Sequence, residues 1–92
     1  MLVYVCIRTE QIIEREQAKE ILKELALDNA NTYICPDFAF SYLDRPKEAD
    51  YDIMREDLIC ACDEMLICSG LNENMLRDYE FAKTLKIPIK FI

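Results

Sequence analysis

Four short apolar runs, three of them followed by a stretch with helical spacing, constrain this 92-residue chain more than any other feature. They are Leu2 to Ile7, Thr32 to Cys35, Glu64 to Cys68 and Ile89 to Ile92. The first has no polar alternation, so a strand built from it is buried on both faces, as in a parallel sheet. From Glu10 to Leu27, Ile13, Ala18, Ile21, Leu22 and Leu25 share one helical face, while Glu14, Arg15, Lys19, Lys23 and Glu24 fall largely on the other. Thr9 is placed to cap that helix. Asp28 to Asn31 is a turn cluster. A second helix is expected from Tyr51 to Cys62, with Met54, Leu58 and Ala61 inward. A third is expected from Glu73 to about Leu85, with Asn72 as its N-cap and Met75, Tyr79 and Ala82 on one face. Asp37 to Asp50 reads as a long loop carrying Phe38, Phe40, Tyr42 and Leu43. Loops of that length are usually functional or disordered, and the aromatics argue against disorder.

Strands alternating with helices imply one α/β domain spanning residues 1–92, a parallel sheet with helices on both faces. Ligands of such sheets bind beyond the carboxyl ends of the strands, where the strand order reverses. Three segments leave those ends: Ile7-Arg8-Thr9, Pro36 to Asp50, and Ser69 to Asn74.

Composition then excludes chemistry. With no histidine there is no Ser-His-Asp triad, no Cys-His dyad and no His-ligated zinc. With one glycine, Gly70, there is no Walker-type loop and no GxGxxG turn, since both need several glycines for backbone to approach phosphate. No metal or cofactor is expected. The net charge of −7 disfavours nucleic-acid polymers as partners, although Arg77 or Lys83 leaves room for a local anion site. No run approaches the ~20 apolar residues of a membrane span, and no charged segment precedes an apolar one in the manner of a signal peptide. The five cysteines, Cys6, Cys35, Cys60, Cys62 and Cys68, are odd in number and lack CxxC spacing. Buried reduced thiols in a cytoplasmic protein are therefore expected, with Cys60 or Cys62 as the alternative reactive site.

Asp78 is the most informative single residue. It falls one turn into the third helix, where the partially positive N-terminus favours an ionised carboxylate able to act as nucleophile or general base. The same placement also serves simply to complement the helix dipole. Asp63, just before the third strand, is either a chain-turning residue or a second acid. Tyr4 is either core or a hydroxyl presented to the pocket.

Four stretches together resemble the nucleoside 2-deoxyribosyltransferase-like superfamily, chiefly its small bacterial and phage relatives. They are Leu2-Val3-Tyr4-Val5, Pro36 to Asp44, Leu58 to Met65, and Asn72 to Ala82 followed by Lys86-Ile87-Pro88-Ile89. In the last stretch Met75, Ala82 and the Ile87-Pro88 pair keep the places they have in the family's Ser-x-Gly-Met-x-x-Glu-x-x-x-Ala and Gly-Ile-Pro-Val. The resemblance implies a three-layer α/β/α sandwich with a four-stranded parallel sheet in the flavodoxin-like or Rossmann-like order 2-1-3-4. It also implies cleavage or transfer at a nucleoside or nucleotide N-glycosidic bond, through a carboxylate that attacks the anomeric carbon. Asp78 holds the nucleophile's place, one methylene shorter than the family glutamate. Tyr4 matches a pocket tyrosine, and Asp63 is the candidate second acid. Candidate substrate contacts are Arg8, Asp37, Phe38, Phe40, Arg55, Ser69, Asn72, Asn74 and Met75, with Phe38 and Phe40 as a platform for the base. Arg55 stands where the family has an aspartate, and Asp57 could replace that acid only from another helical face. Asn72 and Asn74 stand for the family's serine and glycine.

Three readings follow. One is an active deoxyribosyltransferase or N-glycosidase, a reading that an Asp78 facing away from the crevice would end. The second is a non-catalytic module that senses or sequesters a nucleotide through Arg8, Arg55 or Arg77. The third is an interaction protein without a small ligand. Family members pair through helices beside the site, so a homodimer is expected.

Overall fold

The computed structural model describes residues 1–40 and 48–92. Its elements are β1 (Leu2–Cys6), α1 (Ile12–Leu25), β2 (Thr32–Ile34), α2 (Pro36–Ala39), α3 (Glu48–Ala61), β3 (Glu64–Ile67), α4 (Glu73–Thr84) and β4 (Ile89–Phe91). The four strands form one all-parallel sheet in the order β2-β1-β3-β4. Leu2 pairs with Thr32 on one side of β1, and Val3 pairs with Glu64 on the other.

Adjacent side chains of a strand point to opposite faces, and β1 feeds two separate apolar clusters in this way. Tyr4 and Cys6 join Ile59 of α3, Met65 and Ile67 of β3, and Met75 and Ala82 of α4. Val5 and Ile7 join Ala18 of α1 and Cys35. Burial of β1 from Val3 onward is nearly complete, as its unbroken apolar run requires.

Several local expectations change. Thr9 does not cap α1. Gln11 is the N-cap residue, and its backbone N–H donates to the Glu14 carboxylate at 3.1 Å. The stretch from Asp37 is not one long loop. Pro36 occupies the first turn of α2, where its missing N–H costs nothing, and α3 starts three residues before the expected Tyr51. Tyr42, Leu43 and Asp44 lie outside the described residues. The inward face of α3 is also rotated: Arg55 and Ile59 are buried, while Ala61 is exposed. The expected cap of α4 is present, with the Asn72 side chain accepting from the Met75 N–H at 2.8 Å.

At its other end α4 closes with two reaching-back bonds, Ile87 N–H to Ala82 and Lys86 N–H to Lys83. This closure puts Lys86 at φ 59°, in the left-handed region. Gly70, the lone glycine, has no such duty: a Cβ there would meet nothing within 4 Å.

Candidate functional site

Three loops converge at the carboxyl end of β1. Consecutive residues of the β1–α1 loop each tie to a different neighbour. The Arg8 backbone N–H donates to Ser69 Oγ at 2.9 Å, beyond β3. Thr9 Oγ1 donates to Asp37 on α2. Glu10 accepts from Asn72 Nδ2 at 2.6 Å, at the start of α4.

Between these loops lies a cleft of about 100 Å³. Tyr4, Glu10, Asp37, Arg55, Asn72 and Asp78 supply its polar wall, and Asn74 and Met75 also line it. This is smaller than the ~300 Å³ at which pockets for whole drug-sized ligands begin, so the cleft suits one ring of a ligand rather than all of it.

Asp78 sits in this wall and faces the cleft. Its side chain is only 5% exposed. Tyr4 Oη donates to Oδ2 at 2.7 Å, and Arg55 Nε donates to Oδ1 at 3.0 Å. The guanidinium reaches on through Nη2 to Asp52. The other Asp52 oxygen accepts from Arg77 Nη1 at 2.6 Å. A chain of alternating charge thus runs from the cleft to the surface between α3 and α4.

Burial raises the Asp78 carboxyl above its usual value, and the Tyr4 hydrogen bond and the Arg55 charge only partly oppose this. Burial first, and then the Asp78 charge, push the Tyr4 phenol well above its ordinary value, so Tyr4 is a donor and not a base. The thiols follow the same physics. Burial drives Cys6 upward, and it pushes Cys35 and Cys62 up to about 11. Cys62 is therefore held as an unreactive thiol. Cys60 is exposed on α3, away from the cleft lining.

Not every candidate gathers here. Asp63 lies at the amino ends of the strands. Its carboxylate accepts from Leu2 N–H, and its own N–H donates to the Leu2 carbonyl, both at 2.8 Å. It extends the β1–β3 ladder at the end of the sheet opposite the cleft. Phe38 packs toward α1, with the Arg15 guanidinium 5.2 Å from its ring centre. Phe40 meets the Tyr51 ring at 6.3 Å. Neither lines the cleft, so the expected aromatic platform for a base is not formed by these two residues. Arg8 turns its side chain to Glu14, at 3.2 Å, and Ser69 lies with it in a separate small cavity. Asp57 is exposed on the outer side of α3.

Sequence reasoning missed Asp52 and Glu10. The i,i+3 spacing of Asp52 and Arg55 was a usable signal for the first. Among the described residues, no group of three or more Cys, Asp or Glu side chains is placed to hold a metal ion. No helix of the described residues is long and apolar enough to cross a membrane. No protein-family model, curated protein or solved structure matches the chain.

Proposed function

We propose that this protein cleaves or exchanges the N-glycosidic bond of a deoxynucleoside, with Asp78 as the nucleophile. The observation that carries the reading is the Asp78 carboxylate, facing a strand-end cleft and oriented by Tyr4 and Arg55. Each carboxylate oxygen has a further lone pair beyond the hydrogen bond it accepts. One oxygen bonds to the anomeric carbon as the bond from that carbon to the base nitrogen breaks. The base nitrogen takes the electron pair and is protonated from water. Water or a second base then attacks the same carbon and releases the carboxylate. Such a double displacement proceeds through oxocarbenium-like transition states, which a nearby carboxylate stabilises.

The cleft's charge bears on the substrate. Glu10, Asp37 and Asp78 set three carboxylates against the single guanidinium of Arg55. An uncharged nucleoside suits this wall better than a phosphate ester. The five thiols, none in a disulfide among the described residues, accord with a cytoplasmic setting. Ile53 on α3 and Leu76 on α4 are exposed apolar residues that suit a homodimer contact.

One observation favours a second reading. Arg55 neutralises the carboxylate that must attack, as befits a module that binds a nucleoside and leaves it intact. Incubation with deoxynucleosides and their monophosphates, followed by chromatography for free base, separates the two. Base release that disappears in Asp78→Ala supports the enzyme. No release, together with a thermal shift on adding deoxynucleoside, establishes the binding module instead.

A further inference from the structure

A second concavity, of about 740 Å³, lies on the far side of β2 from β1 and is several times larger than the cleft. Leu22 and Ala26 of α1, Ile34 and Cys35 of the β2 end, and Phe38 and Ala39 of α2 give it an apolar floor. β2 is an edge strand. Thr32 N–H donates inward to the Met1 carbonyl at 2.8 Å. Alternation along a parallel strand therefore turns the Tyr33 N–H and C=O outward, along this groove.

The charges of α1 are sorted with respect to it. Arg15, Lys19 and Lys23 recur at i,i+4, while Glu16, Glu20 and Glu24 form the adjoining row. Lys19 and Lys23 line the groove, and Arg15 stands over the Phe38 ring. The glutamates of the second row are exposed. Among the described residues no carboxylate lines the groove, so its charged wall is cationic on a chain of net charge −7. Its spacing also fits an extended partner: helix positions four apart rise about 6 Å, and alternate side chains of a strand repeat at about 6.6–6.8 Å. Lys19 and Lys23 each have a glutamate at 3.3 Å. These exposed pairs are weak and readily exchanged for another carboxylate.

We infer that this groove receives an extended acidic segment of a partner protein as an added strand beside β2, with carboxylates at alternate positions meeting Arg15, Lys19 and Lys23. The intervening apolar side chains would turn to the opposite face of the sheet, beside Ile34, and Tyr33 would supply the backbone pairing. A second copy fits less well, because two-fold pairing of this edge would bring the same lysine row against itself.

The test is NMR titration of the intact chain with a capped hexapeptide of alternating glutamate and valine. Two controls are its alternating lysine and valine counterpart and an isomer with the three glutamates in a block. The alternating acidic peptide is expected to shift the Tyr33 and Ile34 amides and to bind at least tenfold tighter than either control. Binding should weaken at least tenfold in the Lys19→Glu/Lys23→Glu variant and should fall with added salt. No shift at Tyr33 up to millimolar peptide, or equal binding of the lysine peptide, would overturn the inference. So would Tyr33 shifts that depend on protein concentration without peptide, which would identify a second copy as the occupant.

Discussion

A buried carboxylate between a phenol and a guanidinium has consequences in both stability and pH. Losing Tyr4 Oη removes a charge-assisted hydrogen bond, so Tyr4→Phe is expected to cost about 1.5–3 kcal/mol in urea unfolding. In the base-release assay it should lower turnover on the order of 100-fold, the scale of misplacing a reacting group, because Tyr4 orients the attacking carboxylate. The pH effect has a definite sign. The folded state raises the Asp78 carboxyl, so over that interval the folded chain binds more protons than the unfolded one. Asp78's contribution to stability is therefore present while it is protonated, and it is lost as pH rises from the ordinary aspartate value, about 3.9, through its folded value. Catalysis runs the other way, because the nucleophile must be ionised. The acid limb of the rate profile should lie above the ordinary aspartate value. The Asp52 charge adds to the upward shift, so Asp52→Asn should move that limb to lower pH. An unmoved limb would show that Asp78 is not the titrating group.

The elements test backbone chemistry more directly. Lys86 takes the left-handed conformation that ends α4, a position where glycine avoids the Cβ penalty. Lys86→Gly is expected to raise stability by about 0.5–1 kcal/mol in thermal unfolding, the conformational relief exceeding the entropy added to the unfolded chain. Gly70 is the converse case. Nothing stands near its missing Cβ, so Gly70→Ala should be stabilising by about 0.4–1 kcal/mol. The strands were legible because runs such as Leu2 to Ile7 carry their burial in their composition. α4 was legible because Asn72 caps it and Met75 and Ala82 mark its inner face. α2 was not, since four residues are too few to show a period and only Pro36 announces it. The buried face of α3 differs from the one its sequence suggests for a physical reason. A charged side chain is placed outward unless a buried counter-charge is known, and the one that draws Arg55 inward lies 23 residues away on α4. Tyr4 and Asp78 were each singled out, yet their contact spans 74 residues and no local spacing shows it.

At the level of the whole molecule, the Arg55–Asp78 pair joins α3 to α4 beside β1. Arg55→Ala leaves a buried carboxylate without its counter-charge and is expected to cost about 3–5 kcal/mol, a large part of what a small domain has. Urea unfolding at neutral pH should show the loss. Lowering the pH until Asp78 is protonated should recover part of it, which a purely packing-related loss would not do. The three ties of the β1–α1 loop extend this dependence on distant partners. They join residues 61, 28 and 62 positions apart. Contacts of such separation carry loop-closure entropy that only an already docked sheet can offset. These ties lie outside the strand ladder and are only part-buried or exposed, so the mouth of the cleft is expected to open at a lower cost than the sheet. In native-state hydrogen exchange, the Arg8 and Met75 amides should exchange by a smaller opening than the amides in the middle of β1. The protein would then loosen its ligand site in a sub-global fluctuation while its sheet stays intact.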